Sequence, residues 1–526
     1  MGAVARSRRS AGIVAASAIL AASVILSGLL GSCGTSRGQP PSSGGAPGQS
    51  GATTSSASSG GASVAGAGAP VSWSPCSGAA GPSGFQCAKV AVPRDPASSQ
   101  GPTISLALDR RPASGTDSGV LLVNPGGPGV SGVDFLPEIV KLLPSSILDH
   151  FDVIGFDPPG VARSAPIDCG TTSQMLDFIN VNPAPTTPGG LASLLSADRA
   201  FAAACQARSG AELGYVSTAD AAMDMDYIRK ALGVATISYL GFSYGTFLGA
   251  TYANLFPRHV RAMVLDGAIN PALGVLASLD YQSTAFEGDL NSMFSSCQAN
   301  AHCPWKAGAD PLKVFEALVA AVTSKPLAVS GSAQAFGPAQ LLYATAAGLY
   351  SQSTWPTLEA GLAEVASGNP SILHALFDSY IGLSAGRLGN ELEAETAVNC
   401  LDAPAPSVQA VEAAAPAARA AAPVFGVMNL YSELVCSVWP TPATSKPANL
   451  PAVGAPPIVV VGTTGDPATP YSEAVALASE LRSGVLVTRV GEGHTAYAYS
   501  SCVRSYVDNY LLNLKVPPAG LRCPSN

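Results

Sequence analysis

Short unbroken apolar runs mark the two ends of this chain and are missing from its middle. Val120-Leu-Leu-Val-Asn124, Phe151-Asp-Val-Ile-Gly-Phe156, Ala262-Met-Val-Leu-Asp266 and Ile458-Val-Val-Val-Gly-Thr463 are apolar and β-rich and stop at polar or glycine turns. Such runs are read as strands buried on both faces. Thr236 to Leu240 and Val485 to Val490 read as further strands, and the alternating stretches Cys87 to Pro93 and Thr103 to Leu108 as an antiparallel pair. Ser217 to Gly233 predicts a helix. Ser217 or Thr218 can cap it, Asp220 sits in its first turn, Met225, Ile228 and Leu232 keep helical spacing, and Gly233 suits its end. Tyr471 to Arg482 and Ser501 to Leu514 predict two more helices. Strands alternating with helices give the α/β class with a mainly parallel sheet. From about Asn270 to Pro451 the alternation disappears. That stretch is alanine-rich and mostly helical, with turns at Pro304, Pro326 and Pro370. It reads as a helical lid inserted over the carboxyl edge of the sheet. The expected division is therefore 71–270 and 453–526 for the α/β core and 271–452 for the lid.

The amino-terminal pattern is different. Arg6, Arg8 and Arg9 precede an apolar run from Ile13 to Leu30, and Leu30-Gly31-Ser32-Cys33 resembles a bacterial lipobox. The expectation is a signal peptide over 1–32 and a lipidated Cys33, the rival being an uncleaved membrane anchor. Arg8-Arg9 leaves Sec and twin-arginine export both open. Either way the bulk of the chain is expected in the cell envelope, outside the cytoplasm and tied to a membrane. Residues 33–70 are rich in Gly, Ser, Ala and Pro, with Arg37 as the one charge. They cannot bury a core and read as a flexible tether.

Composition narrows the partners. The 526 residues are 12% charged with a net charge of −8 and carry no basic patch, which argues against nucleic acid. Setting Cys33 aside, the remaining 10 of the 11 cysteines are an even number, which suggests five disulfides in an oxidising compartment. Pairing in chain order gives 76–87, 169–205, 297–303, 400–436 and 502–523. No C-x-x-C occurs and His302 beside Cys303 stands alone, so no metal site and no cofactor is expected.

The chemistry gathers on one stretch. Gly241-Phe-Ser-Tyr-Gly245 matches G-x-S-x-G, follows a strand and opens a helix candidate from Thr246 to Phe256, stopped by Pro257. That context is the nucleophile elbow of an α/β-hydrolase, with Ser243 at the turn. Gly34-Thr-Ser-Arg-Gly38 fits the same pattern without strand or helix, which shows that context and not the pattern carries the reading. A serine hydroxyl needs a base, and the base needs an orienting acid. Of the five histidines, His150 precedes the serine, His259 follows Pro257-Arg258 at a helix end, and His302 and His374 lie in the lid. His494 alone follows a late strand, on Gly491-Glu-Gly-His-Thr495. Asp466 in Gly465-Asp-Pro467 is the favoured acid. Asp266 is the alternative, and is otherwise expected to cap the turn at Gly267. An oxyanion needs two backbone N–H groups. Tyr244 should supply one. The loop Asn124-Pro-Gly-Gly-Pro-Gly129 should supply the other, from Gly127, with Gly126 second.

These motifs, with Asp157-Pro-Pro-Gly-Val-Ala-Arg-Ser164, Gly465-Asp-Pro-Ala-Thr-Pro470, Ala397-Val-Asn-Cys-Leu-Asp402 and Cys436-Ser-Val-Trp-Pro440, stand in one order from about Trp73 to Cys523. In this the chain resembles the secreted tripeptidyl aminopeptidases of actinomycetes, within the prolyl-aminopeptidase-like α/β-hydrolases. With a lipobox and a tether it looks most like the mycobacterial cell-envelope lipoprotein serine proteases of that group. The resemblance implies a triad of Ser243, Asp466 and His494, cleavage of peptides from a free N-terminus, and carboxylesterase activity on small esters. The glycine loop departs from prolyl aminopeptidases, with Asn124 where they have histidine, which fits the tripeptidyl subgroup. A cationic substrate amine asks for a lid carboxylate, and Glu287 and Asp402 are the candidates. Two other functions use the same residues differently. A lipase or esterase of envelope lipids would keep the triad and lack the amine site. A non-catalytic surface protein would keep the scaffold and need no triad.

Overall fold

The computed structural model describes residues 69–525 apart from 77–83, 99, 116–118 and 333. The expected signal peptide, Cys33 and most of the tether lie outside the described residues. Ten strands form one sheet in the order β1-β2-β3-β5-β4-β6-β7-β8-β9-β10. They are β1 (Ser74–Pro75), β2 (Gln86–Pro93), β3 (Thr103–Arg111), β4 (Gly119–Asn124), β5 (Phe151–Phe156), β6 (Ile237–Phe242), β7 (Val260–Asp266), β8 (Ile458–Gly465), β9 (Gly484–Glu492) and β10 (Leu521–Cys523). The pairs β1–β2, β2–β3 and β3–β5 are antiparallel and the rest parallel. The unbroken apolar runs make the parallel centre, where both faces are covered by helices. The alternating pair lies toward one edge, with Val90 opposite Leu106.

Helices α1 (Gly132–Leu142), α2 (Pro188–Ser209), α3 (Thr218–Ala231), α4 (Tyr244–Leu255), α5 (Val275–Ala299), α6 (Pro338–Leu349), α7 (Glu391–Asp402), α8 (Phe425–Ser432), α9 (Tyr471–Glu480) and α10 (Ser501–Asn513) build or position the site. Leu121, Val123, Val264, Val459 and Val461 face α1 and α10 on one side of the sheet. Leu122, Tyr239, Met263, Leu265 and Val460 face α3, α4 and α9 on the other. Helix α3 starts at a capping box. Ser217 Oγ accepts from Asp220 N–H and the Asp220 carboxylate accepts from Ser217 N–H, satisfying two otherwise free donors. Between β7 and β8 the described residues hold eight α-helices, α5 to α8 among them, packed on a core of their own around Phe286, Phe294, Leu342, Leu358 and Phe425. Among the described residues no helix is long and apolar enough to cross a membrane.

Five disulfides close Cys76–Cys87, Cys169–Cys205, Cys297–Cys303, Cys400–Cys436 and Cys502–Cys523, the pairing in chain order. Asn124, Ser243, Asp266, Asp466 and His494 all stand at or just past the carboxyl ends of parallel strands, on the loops that follow β4, β6, β7, β8 and β9. Open α/β sheets bind their ligands at that edge.

Candidate active site

Strand β6 is buried at every residue and leads directly into Ser243, whose backbone stands at φ 54 and ψ −128. That region is sparsely populated by any residue with a Cβ and costs of order 1–3 kcal/mol. The neighbours hold it. Ser243 N–H donates to Asp266 O at 2.9 Å, and Ser243 O accepts from Thr246 N–H at 2.8 Å and Thr246 Oγ1 at 2.6 Å. Tyr239 Oη donates to Gly245 O at 2.7 Å. Glycine is required at 245, where a Cβ would lie 2.7 Å from Asn124 Oδ1. The strained turn puts Tyr244 directly into α4, so the helix begins there and not at Thr246.

His494 is 4% exposed, and its Nδ1 lies 2.9 and 3.0 Å from the two oxygens of Asp466, which is 2% exposed. The Asp466 carboxylate also accepts from the N–H groups of Ala468, Thr469 and Thr495 at 3.0, 2.9 and 3.1 Å, and from Thr469 Oγ1 at 3.1 Å. Its direction is thus fixed by backbone. His494 N–H donates to Tyr350 O in the lid at 2.8 Å, and the Tyr350 ring stands edge-on to the imidazole with centroids 5.4 Å apart. A Cβ on Gly267 would lie 3.1 Å from His494 Cε1. The preceding residue, Asp266, takes the Ser243 N–H, so serine and histidine meet the same turn. The Ser243 hydroxyl has no hydrogen-bond partner among the described residues. Such contacts are often long in unliganded enzymes.

Asp266 does something else than expected. Gly267 N–H donates to Val461 O, so the turn needs no cap from Asp266. Its fully buried carboxylate instead accepts from Ala496 N–H at 3.0 Å and Tyr497 N–H at 2.7 Å, which pins the loop after His494. Burial, partly offset by those bonds, pushes its pKa up to about 6. On the lid side, burial and the nearby Glu492 and Asp466 push Asp289 of α5 up to about 9, so it meets the His494 loop as a neutral acid.

The glycine loop lies against the serine. A Cβ on Gly126 would come within 2.9 Å of Ser243 Cβ and 3.1 Å of Tyr244 N, and φ at Gly126 and Gly127 is +103°. Gly126 N–H donates to Asn124 Oδ1 at 3.0 Å. The N–H groups of Gly127 and Tyr244 have no acceptor among the described residues. Two unspent backbone donors beside one hydroxyl can receive an anionic oxygen.

The two acids named for a substrate amine serve helix ends. Glu287 Oε2 accepts from Val424 and Phe425 N–H at the start of α8. Asp402 accepts from Thr218 N–H at 2.8 Å and from Thr218 Oγ1 at 2.5 Å at the start of α3. The structure draws attention to three other lid acids. Burial raises Glu391 and Glu433 to about 7. Burial, then the charges of Glu391 and Glu433, raises Glu395 to about 8. Among the described residues none of the three has a salt-bridge partner. A Cβ on Gly129 would touch α7 at Glu391 O and, at 3.0 Å, Glu395 N. The Tyr350 hydroxyl feels the charges of Glu395, Asp466 and Glu391 together. Glu391 and Glu395 therefore border the glycine loop, and their charges act on the same tyrosine as that of Asp466. Glu391 and Glu395 are one helical turn apart, which is visible in the sequence, but which way α7 turns that face is decided by packing.

The two cysteine-and-carboxylate groupings, Cys76, Cys87 with Asp109 and Cys297, Cys303 with Glu359, spend their sulfurs on disulfides and do not suit a metal.

Two family models match the chain: "TAP-like protein" over residues 422–523 and "alpha/beta hydrolase fold" over residues 119–309. Serine protease Hip1 of Mycobacterium tuberculosis is 37% identical over 479 residues, 87% of this chain and 91% of that protein. Carboxylesterase B of the same organism is 36% identical, covering 83% of this chain and 86% of the relative. The tripeptidyl aminopeptidase of Streptomyces lividans is 33% identical, covering 86% of each.

Proposed function

Because this chain belongs to the tripeptidyl-aminopeptidase-like α/β-hydrolases and is a serine hydrolase, we propose that it removes short peptides from free N-termini, with Ser243 as nucleophile, His494 as base and Asp466 as the orienting acid. The observation that carries the peptidase reading is that Glu391 and Glu395 border the glycine loop, with Glu433 close enough for its charge to act on Glu395, and that none of the three has a salt-bridge partner among the described residues. A substrate α-ammonium group supplies the missing cation.

In this reading His494 Nε2 takes the proton of Ser243 Oγ as the oxygen attacks the scissile carbonyl. Asp466 keeps Nδ1 protonated and stabilises the imidazolium. The carbonyl oxygen becomes an oxyanion held by the N–H groups of Gly127 and Tyr244. His494 returns the proton to the leaving amine. Water then attacks the acyl-enzyme by the same route and frees the peptide. The same parts hydrolyse esters, which need no ammonium group. The relative named as a carboxylesterase favours that second activity.

The discriminating experiment uses a tripeptidyl amide with a free amine, its N-acetylated twin and a short acyl ester. The proposal expects turnover of the first and third and loss of turnover on acetylation. Equal turnover of both amides would contradict the amine site. Glu395→Gln is expected to raise KM for the free-amine peptide about tenfold to a hundredfold, since charge-assisted hydrogen bonds contribute about 1.5–3 kcal/mol, and to leave the ester's KM unchanged. The three acids also set a pH dependence. They are neutral below their raised pKa values, so carboxylate for binding accumulates as pH rises through 7 to 8. The substrate amine loses its proton near about pH 8. KM for free-amine peptides is therefore expected to fall from pH 6 toward 7.5 and rise again above 8, while KM for the ester stays flat.

The export reading rests on Arg6, Arg8, Arg9, the apolar run to Leu30 and Cys33. Five disulfides suit an oxidising compartment. Cys33→Ala is expected to move the protein from the membrane fraction to the soluble envelope fraction, and unchanged fractionation would contradict lipidation.

A further inference from the structure

One lid helix reaches the surroundings of both unspent donors, packing on the glycine loop at Gly129 and joining the Tyr244 side chain through Thr218. The first turn of α7 lies against the glycine loop, where a Cβ on Gly129 would meet Glu391 O and Glu395 N. The last residue of α7, Asp402, accepts from Thr218 Oγ1 at 2.5 Å and Thr218 N–H at 2.8 Å, and Thr218 Oγ1 lies 2.5 Å from Tyr244 Oη. Thr218 has a single hydroxyl proton and gives it to the Asp402 carboxylate, so Tyr244 Oη donates to Thr218. Thr218 is 1% exposed and Tyr244 5%. Burial raises the Tyr244 pKa well above its ordinary value, so the phenol stays protonated; burial also pushes Asp402 up to about 7, and the chain keeps this direction where Asp402 is ionised. The helix itself is locked to the core. Asn390, just before α7, accepts from Ala162 N–H at 2.9 Å and donates to Gly160 O at 2.8 Å and Ile167 O at 2.9 Å, and within the lid Cys400 is bridged to Cys436. The other polar groups of the elbow are tied within the core, through Asp266, Thr246 and Tyr239. Among the described residues, the Tyr244 side chain is the polar tie from the elbow to the lid.

We propose that α7 braces the oxyanion site, with Asp402 acting through Thr218 as the positioning residue for Tyr244. The inference rests on the assignment of Ser243 and Tyr244 given above. A donor that must meet a developing charge loses much of its effect when displaced by a fraction of an ångström, because the charge forms at one point. The hydroxyl chain holds the ring of Tyr244, and the ring holds the peptide that carries the donor.

The test compares wild type, Thr218→Val, Thr218→Ser, Tyr244→Phe and Ser243→Ala, using the ester, the free-amine tripeptidyl amide, a peptide boronate that forms a tetrahedral adduct, and the released tripeptide as product ligand. Thr218→Val and Tyr244→Phe are expected to lower kcat on both substrates about tenfold to a hundredfold, with KM within about twofold. Boronate affinity should fall by the same factor and tripeptide affinity stay unchanged. Thr218→Ser should restore kcat to within about threefold. Unchanged kcat and boronate affinity in Tyr244→Phe would overturn the inference, as would parallel loss of boronate and tripeptide affinity, which marks general damage. Should Ser243→Ala turn over both substrates like wild type, the nucleophile assignment itself fails, and this inference with it.

Discussion

Ser243→Ala is expected to lower turnover of both ester and free-amine peptide by roughly five to six orders of magnitude, with an unchanged melting transition. The size follows from the roles assigned. Without the hydroxyl no acyl-enzyme forms, and His494 has no proton to take. What remains is binding and the two oxyanion donors, a residual of about a thousandfold over water. The unchanged stability follows from the backbone. Ser243 already occupies φ 54 and its hydroxyl makes no hydrogen bond among the described residues, so alanine adds no backbone strain and removes no hydrogen bond. A comparison of kcat and thermal melting on the same preparation checks both halves.

Asp466→Asn and Asp266→Asn should separate the two acids that the sequence left in competition. Asp466→Asn puts one oxygen and one NH2 group into a pocket that presents donors from Ala468, Thr469, Thr495 and the His494 ring. The amide favours the wrong imidazole tautomer, and kcat is expected to fall about ten-thousandfold at neutral pH. Asp266→Asn removes one acceptor facing Ala496 and Tyr497, without touching the imidazole. The expected cost there is stability, about 1–3 kcal/mol, with kcat within about a hundredfold of wild type. A larger kcat loss in Asp266→Asn than in Asp466→Asn would reverse the assignment.

What the sequence made legible was local. Strand runs such as Val120 to Asn124 and Ile458 to Thr463 carry their burial in their own composition, and each is a central strand. Ser243 is legible because strand, glycine, serine, glycine and helix are contiguous. Chain order sufficed for the five disulfides, each of which closes a segment of at most 36 residues. The misses are non-local. Asp266 looks like a turn cap beside Gly267, but its partners lie 230 residues away. Asp402 looks like a free lid acid, but Thr218, 184 residues earlier, holds it. Glu391 and Glu395 show their helical spacing, yet only packing on Gly129 says that they border the site. Strand β10, three residues including a charged Arg522, has too little pattern to be read; parallel pairing with β9 and the Cys502–Cys523 bridge hold it.

One measurement tests the central claim most directly. The purified protein, with its disulfides formed, is treated with a fluorophosphonate and the modified residue is located by peptide mass spectrometry, in wild type and in His494→Ala. The account predicts a single adduct on the peptide containing Ser243, with labelling that removes hydrolysis of ester and free-amine peptide together and slows severely in His494→Ala. An adduct on another serine, or hydrolysis that survives full labelling of Ser243, would contradict it.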